Sequence, residues 1–193
     1  MLENGIVKEE DVPRFISNIR KEASRLVDLI NDIIRLSQLD EKTPMLKEKV
    51  SMYEIAEEVR EALSDTANKK NITFEVNGDL GIIKGVRSLL YEMIYNLCDN
   101  AIKYNSPEGY VKVSIQEKAG QICVSVKDNG IGIPKEHHEK IFERFYRVDK
   151  SHSKQSGGTG LGLSIVKHAA AYHGANVCID SIPGKGTEIS IYI

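Results

Sequence analysis

Asn96-Leu97-Cys98-Asp99-Asn100-Ala101-Ile102-Lys103-Tyr104 closes a stretch, beginning at Val86, whose apolar residues recur at helical spacing. At 100° per residue, Glu92, Lys103, Asn96 and Asn100 fall at about 0, 20, 40 and 80°, while Leu97, Leu90, Ala101 and Ile94 fall at about 140, 160, 180 and 200°. One face is therefore core, and the other gathers a carboxylate, two amides and an ammonium. A solvated helix face explains one charged pair well enough. Two asparagines inside a helix are harder to explain that way, because they carry a propensity cost with no return at the surface. An asparagine carbonyl is a hard oxygen ligand suited to Mg²⁺, and a nearby lysine can hold phosphate as a point charge.

Outward from this helix, Tyr110–Glu117 and Gln121–Lys127 alternate like the strands of a hairpin, Val111, Val113 and Ile115 being answered by Ile122, Val124 and Val126. The second strand runs into Asp128-Asn129-Gly130-Ile131-Gly132-Ile133-Pro134. Glycines two apart let the backbone turn sharply beside a flat ligand, and an aspartate at a strand end can accept from an exocyclic amine; an ordinary Asp-Asn-Gly turn reads the same residues without a ligand. Further on, Gly157-Gly158-Thr159-Gly160-Leu161-Gly162-Leu163-Ser164 opens a helix over Leu161–His173 that Gly174 stops. Glycines ahead of a helix start offer free N–H groups and the positive dipole end to phosphates. The run is not a P-loop, because Leu163 stands where the lysine belongs, and a polar segment rather than a strand precedes it.

These residues together resemble the sensor histidine kinases. Asn96–Tyr104 is similar to that family's asparagine box and Asp128–Ile133 to its first glycine box. Phe142-Glu143-Arg144-Phe145-Tyr146-Arg147 is similar to the phenylalanine box, Gly158–Leu163 to the second glycine box, and Gly184-Lys185-Gly186-Thr187 to the closing glycine turn. The five motifs stand in the family's order. The resemblance implies an α+β fold, a two-layer sandwich with a mixed sheet and helices on one face, and it implies ATP with Mg²⁺.

Carried over by position, Asn96 would ligand Mg²⁺, Asn100 and Lys103 would contact phosphates, and Tyr104 would lie against the nucleotide. Asp128 would accept from the adenine amine in a pocket shaped by Gly130 and Gly132. Arg147 would approach the γ-phosphate, and Glu92 is the candidate for assisting transfer. Gly158, Thr159, Gly160, Leu161, Gly162 and Leu163 would cradle phosphates, with Ile133, Tyr146 and Thr187 completing the nucleotide site. The polar stretch Asp149–Thr159 would be a lid over ATP.

The N-terminal part reads differently. Val12, Ile16, Ile19, Ala23, Leu26, Ile30, Ile33 and Ser37 advance alternately by four and three, with Phe15, Val27 and Ile34 widening the stripe. That is a heptad seam, on a helix that starts near Asp11 and Pro13, ends before Thr43-Pro44 and needs partner helices. It resembles the second helix of the family's dimerisation and phosphotransfer hairpin, of which residues 1–43 would be a remnant and 44–193 the ATP-binding domain. Between the two, Ser51 begins a helix with a capping-box look that runs to about Asn71, and short strands follow at Ile72–Val76 and Gly81–Lys84. Val177–Ile182 and Thr187–Ile193 are closing strands.

The family's acceptor is a histidine followed by an acid with a proline close behind. His137, His138, His152, His168 and His173 supply no such site, since His138-Glu139 follows Pro134 and has no proline after it. The expectation is a piece of a larger kinase without its acceptor. His137 and His138 read as surface residues, His168 and His173 as residues of the last helix, where a cation near the C-terminal end is favoured, and His152, in the lid, stays open.

Composition limits the alternatives. The 193 residues are 41% hydrophobic and 28% charged, which suits a folded core. The first 50 hold 9 basic and 10 acidic residues and the rest 17 and 18, so no basic domain marks nucleic acid as a partner. Cys98, Cys123 and Cys178 lack a metal or disulfide spacing and read as buried thiols. No run is long and apolar enough to span a membrane, so the resemblance implies a cytoplasmic piece of a membrane-anchored parent. The implied partners are ATP, a second copy through the helical hairpin, and a response regulator. The competing readings are a nucleotide-binding module without transfer activity and an ATP-driven machine of the gyrase or chaperone kind, which needs a transducer domain.

Overall fold

The computed structural model describes residues 8, 11–40, 45–118, 120–148 and 159–193. Five strands form one mixed sheet in the order β2-β4-β5-β7-β6, namely β2 (Thr73–Gly78), β4 (Tyr110–Lys118), β5 (Gln121–Asp128), β6 (Asn176–Ile182) and β7 (Gly186–Tyr192). Only β2 and β4 are parallel neighbours. The hairpin register pairs Val113 with Val126 and Ile115 with Val124, so the alternating valines and isoleucines of both strands lie on one face. Val111, Val113, Ile115, Val124, Val126, Ile189 and Ile191 are buried there, while Lys112, Lys127 and Glu188 stay on the far side with the Lys127–Glu188 ion pair at 3.1 Å.

Helices α2 (Met52–Asn68), α3 (Arg87–Lys103) and α4 (Gly162–Tyr172) cover the apolar face. The asparagine helix α3 buries Leu89, Leu90, Met93, Ile94, Leu97, Cys98, Ala101 and Ile102, at about 1.5–3 kcal/mol for each large side chain. Ser51 caps α2 by accepting from the Glu54 N–H at 3.2 Å. A small second sheet pairs β1 (Glu48–Ser51) with β3 (Ile82–Gly85). β1 was not expected from sequence, because three of its four residues, Glu48, Lys49 and Ser51, are polar. The architecture is the α+β sandwich anticipated above, and its polar loops gather where β5, α3 and α4 meet.

Helix α1 (Val12–Asp40) carries the heptad seam. Ile16, Ile19, Leu26 and Ile30 are each 55–58% exposed, so the seam lacks a partner within the described residues. Leu29, which lies off the seam, packs on the buried Leu161 and Ile165 at the start of α4. The side chains of Ile33 and Ser37, and residues 1–7, lie outside the described residues.

Candidate active site

Glu92, Asn96, Asn100 and Lys103 are half-buried along one side of α3, as the helical angles require. The Asn96 amide nitrogen donates to the Glu92 carbonyl at 2.8 Å, which ties down its N–H and leaves Oδ1 as the working atom. A Cβ built on Gly162 would come within 2.7 Å of that oxygen. The second glycine run is therefore pressed against the asparagine helix, and a side chain at Gly162 would push the Asn96 amide aside. The first-turn N–H groups of α4 open at the same place, since its ladder begins with Ile165 N–H donating to Leu161 O at 3.0 Å.

The C-terminal end of α3 is fixed by two other segments. The Lys70 ammonium donates to the carbonyls of Ile102 and Lys103 at 2.9 and 2.7 Å, where a cation also meets the negative dipole end. The Tyr104 carbonyl accepts from Ile131 N–H at 3.2 Å, and a Cβ on Gly130 would fall 2.5 Å from that oxygen. The first glycine loop thus lies on the end of the asparagine helix, below the half-exposed Tyr104.

Asp128 stands at the end of β5. Its Oδ1 accepts from Gly130 N–H at 2.8 Å and Thr187 N–H at 3.3 Å, so Oδ2 remains to meet a further donor. Burial pushes its carboxyl above the ordinary aspartate value, and the two N–H groups partly oppose the rise. Gly132 takes φ +67, and a Cβ there would meet Ile182 O at 2.1 Å. Around it, Ile133 N–H donates to Ser181 Oγ at 2.8 Å and Gly184 N–H to Ile131 O at 2.8 Å. The closing glycine turn is therefore the outer wall of the Asp128 pocket.

The phenylalanine segment docks on the second glycine run by main chain. Phe145, at φ +64, donates its N–H to Gly160 O at 2.9 Å. Tyr146 shares a 2.6 Å hydrogen bond with His137 Nδ1, and His138 Nε2 donates to Ile133 O at 2.9 Å. Arg147 follows Tyr146 directly. Thr159, Gly160, Leu161 and Leu163 lie at the α4 start, Leu161 fully buried. Gly158 and the rest of the expected lid, 149–158, lie outside the described residues.

Residues 85–193 match the family described as histidine kinase-, DNA gyrase B-, and HSP90-like ATPase. The chain belongs to this ATPase family. Within it the chain is similar to the sensor-like histidine kinase SenX3 of Mycolicibacterium smegmatis, with 39% identity covering 95% of this chain and 48% of that protein. It is similar in structure to full-length ShkA solved with AMPPNP, at a TM-score of 0.80 and 26% identity over 99% of this chain and 40% of that one. The histidine kinase ThkA, solved in complex with the response regulator protein TrrA, matches at a TM-score of 0.77 and 25% identity over 99% of this chain and 53% of that one. The chain spans about a third to a half of the curated relatives it matches. It is an ATP-binding catalytic domain of the histidine kinase kind.

Some expectations need correction in this ATPase domain. Cys98 and Cys123 are buried, and burial pushes the Cys98 thiol far up, but Cys178 is exposed because it points outward from the edge strand β6. His173 is not a helix-end cation. Its Nε2 accepts from Val86 N–H at 3.0 Å and its Nδ1 donates to Ala169 O at 2.7 Å, while burial lowers its pKa. His137 and His138 are half-buried links between loops rather than plain surface residues. Lys70 and Ser181 were missed. Ser181 had a signal, because it continues the inward register of Val177 and Ile179, where a polar residue must find partners. Lys70 had none, since it meets α3 only through tertiary structure.

No helix among the described residues is long and apolar enough to cross a membrane, and no cluster of three histidine, cysteine or carboxylate side chains is present among them.

Proposed function

We propose that this domain transfers the γ-phosphoryl group of ATP to a histidine on a helical hairpin, for relay to a response regulator. The observation that carries this reading is the meeting of Asn96 Oδ1 with Gly162, which joins a hard oxygen to a helix N-terminus. Asp128 Oδ2 takes the adenine amine, with Gly130, Gly132, Ile133, Tyr104 and Thr187 around the base. Asn100, Lys103 and the Thr159–Leu163 run hold the phosphates, and Tyr146 places Arg147 toward the γ-phosphate.

The donor set fits Mg²⁺. Asn96 supplies a neutral oxygen whose amide nitrogen is already committed to Glu92 O, and Mg²⁺ takes few protein ligands when phosphates and water supply the others. When bound, the ion neutralises charge on the phosphates during transfer. The residues themselves position and exclude: Lys103 and Arg147 balance negative charge, Glu92 orients the incoming imidazole, and the α4 amides fix the phosphates.

Residues 1–43 act as part of a dimerisation hairpin and 44–193 as the catalytic unit, in a parent anchored at the bacterial membrane. The exposed seam of α1 supports a helix that packs on partner helices, and the likeness to ThkA, solved with a response regulator protein, supports the relay. A module that holds nucleotide without transfer is disfavoured, because the asparagines, Lys103, Asp128 and the second glycine run all remain. Titrating ATP into the chain with and without Mg²⁺ tests the reading, which expects saturable binding that Mg²⁺ strengthens. Absence of ATP binding under both conditions overturns it.

A further inference from the structure

Ser181 is buried at the end of β6 and carries one hydroxyl that meets three groups. Ile133 N–H reaches its oxygen at 2.8 Å, the Gly186 carbonyl lies at 3.0 Å and Thr187 Oγ1 at 2.9 Å. A serine hydroxyl has one proton and two lone pairs. The carbonyl has no proton to give, so the serine proton goes to Gly186 O, and the backbone N–H fills one lone pair. The remaining contact then requires Thr187 to donate its own proton to Ser181. Thr187 Oγ1 is left with lone pairs alone for anything on its other side. The same threonine gives its backbone N–H to Asp128 Oδ1, so the hydroxyl and the carboxylate are held as one unit.

We propose that Ser181 is a specificity-determining positioning residue: by consuming the Thr187 proton and anchoring the Gly130–Ile133 loop, it keeps the base pocket accepting only, which favours an adenine amine over a guanine carbonyl. This rests on the reading that Asp128 meets the base. A site lined by acceptors pairs with an exocyclic amine and leaves a keto oxygen facing lone pairs, a mismatch that buried sites discriminate strongly. Without the serine hydroxyl, Thr187 is free to rotate and present its proton, and Ile133 N–H loses its acceptor.

Calorimetry of the whole chain with ATP and with GTP tests the proposal, alongside thermal melting. Wild type prefers ATP, and Ser181→Ala weakens ATP roughly tenfold and lowers the ATP-to-GTP affinity ratio by a similar factor. Ser181→Thr, which keeps the hydroxyl on a residue suited to a strand, restores the ratio. Thr187→Val reproduces the loss and carries the test should the alanine variant fail to fold. A Ser181→Ala protein with a lower melting temperature but an unchanged ratio makes Ser181 merely structural and overturns the proposal, as does wild type without preference or a Thr187→Val ratio equal to wild type. Asp128→Ala separates the two levels. Wild-type ATP affinity in that variant sinks the reading of the pocket itself, whereas loss of binding there with an intact ratio in Ser181→Ala sinks only the role of the serine.

Discussion

At the residue scale the site is governed by which atoms are already spoken for. Asp128 keeps one oxygen for two backbone N–H groups, and the proposed reading gives the other to the base. Asp128→Asn can preserve the first while presenting an NH₂ where an acceptor is needed, so ATP binding is expected to vanish by calorimetry with the fold intact. The acid behaviour follows from burial. A carboxyl raised above 3.8 in the folded chain stabilises it fully below that value and loses this contribution as pH rises through the folded pKa. At neutral pH the buried charge is thus a cost, and the asparagine variant should melt no lower than wild type. Binding runs the other way, since it needs the carboxylate, and ATP affinity should fall on acidification with a midpoint above 3.8. Asn96→Ala removes one oxygen ligand, and its expected signature is a loss confined to the Mg²⁺-dependent part of ATP affinity. An unchanged magnesium dependence would make Asn96 ordinary helix surface.

At the element scale, α3 is held at both ends by residues from elsewhere: Lys70 at its last carbonyls and His173 at the N–H of Val86, where it begins. Protonating His173 Nε2 sets two donors face to face. With its pKa lowered from 6.5, the stability it provides is present above that value and drains away as pH falls below it. Chemical denaturation across pH 7.5 to 5 should show this slope, flattened in His173→Gln. The periodic elements were legible in the sequence because burial repeats at 3.6 or 2 residues in α3, α4 and the β4–β5 hairpin. The ties that orient them were not, because Lys70 meets Ile102, and His173 meets Val86, only after the chain has folded. Cys178 alternates with the inward-facing Val177 and Ile179 and so faces outward, which its apolar neighbours taken without their period do not reveal. The α1 seam, exposed along Ile16–Ile30, is expected to associate with a second copy. Light scattering should report a dimer that Ile19→Glu with Ile30→Glu converts to monomer.

At the scale of the whole molecule, the proposed reading makes catalytic unit and acceptor separable. With ATP and Mg²⁺ the chain is expected to acquire no stable phosphohistidine, because transfer needs an imidazole in line with the γ-phosphate. His137 Nδ1 is engaged with Tyr146 and His138 Nε2 with Ile133, and both ring nitrogens of His173 are taken by Val86 and Ala169. A hairpin carrying the acceptor histidine, supplied as a separate chain, should be labelled slowly, its slowness reflecting the lost effective concentration of a tether. Labelled ATP with acid and alkali stability reads this directly. Alkali-stable label on the isolated chain would place an acceptor among its five histidines, His152 included.

The main-chain bond from Phe145 N–H to Gly160 O has a further bearing on how such domains diversify. It acts as a purse-string: the two strands of chain that leave the site at Phe145 and return at Gly160 are knotted together whatever lies between. The entropy of closing that span grows only with the logarithm of its length, about 0.6 kcal/mol for each doubling. Because the knot uses no side chain, the part of the span between Arg147 and Thr159 can be rewritten, lengthened or shortened while Asn96, Gly162 and Asp128 keep their places.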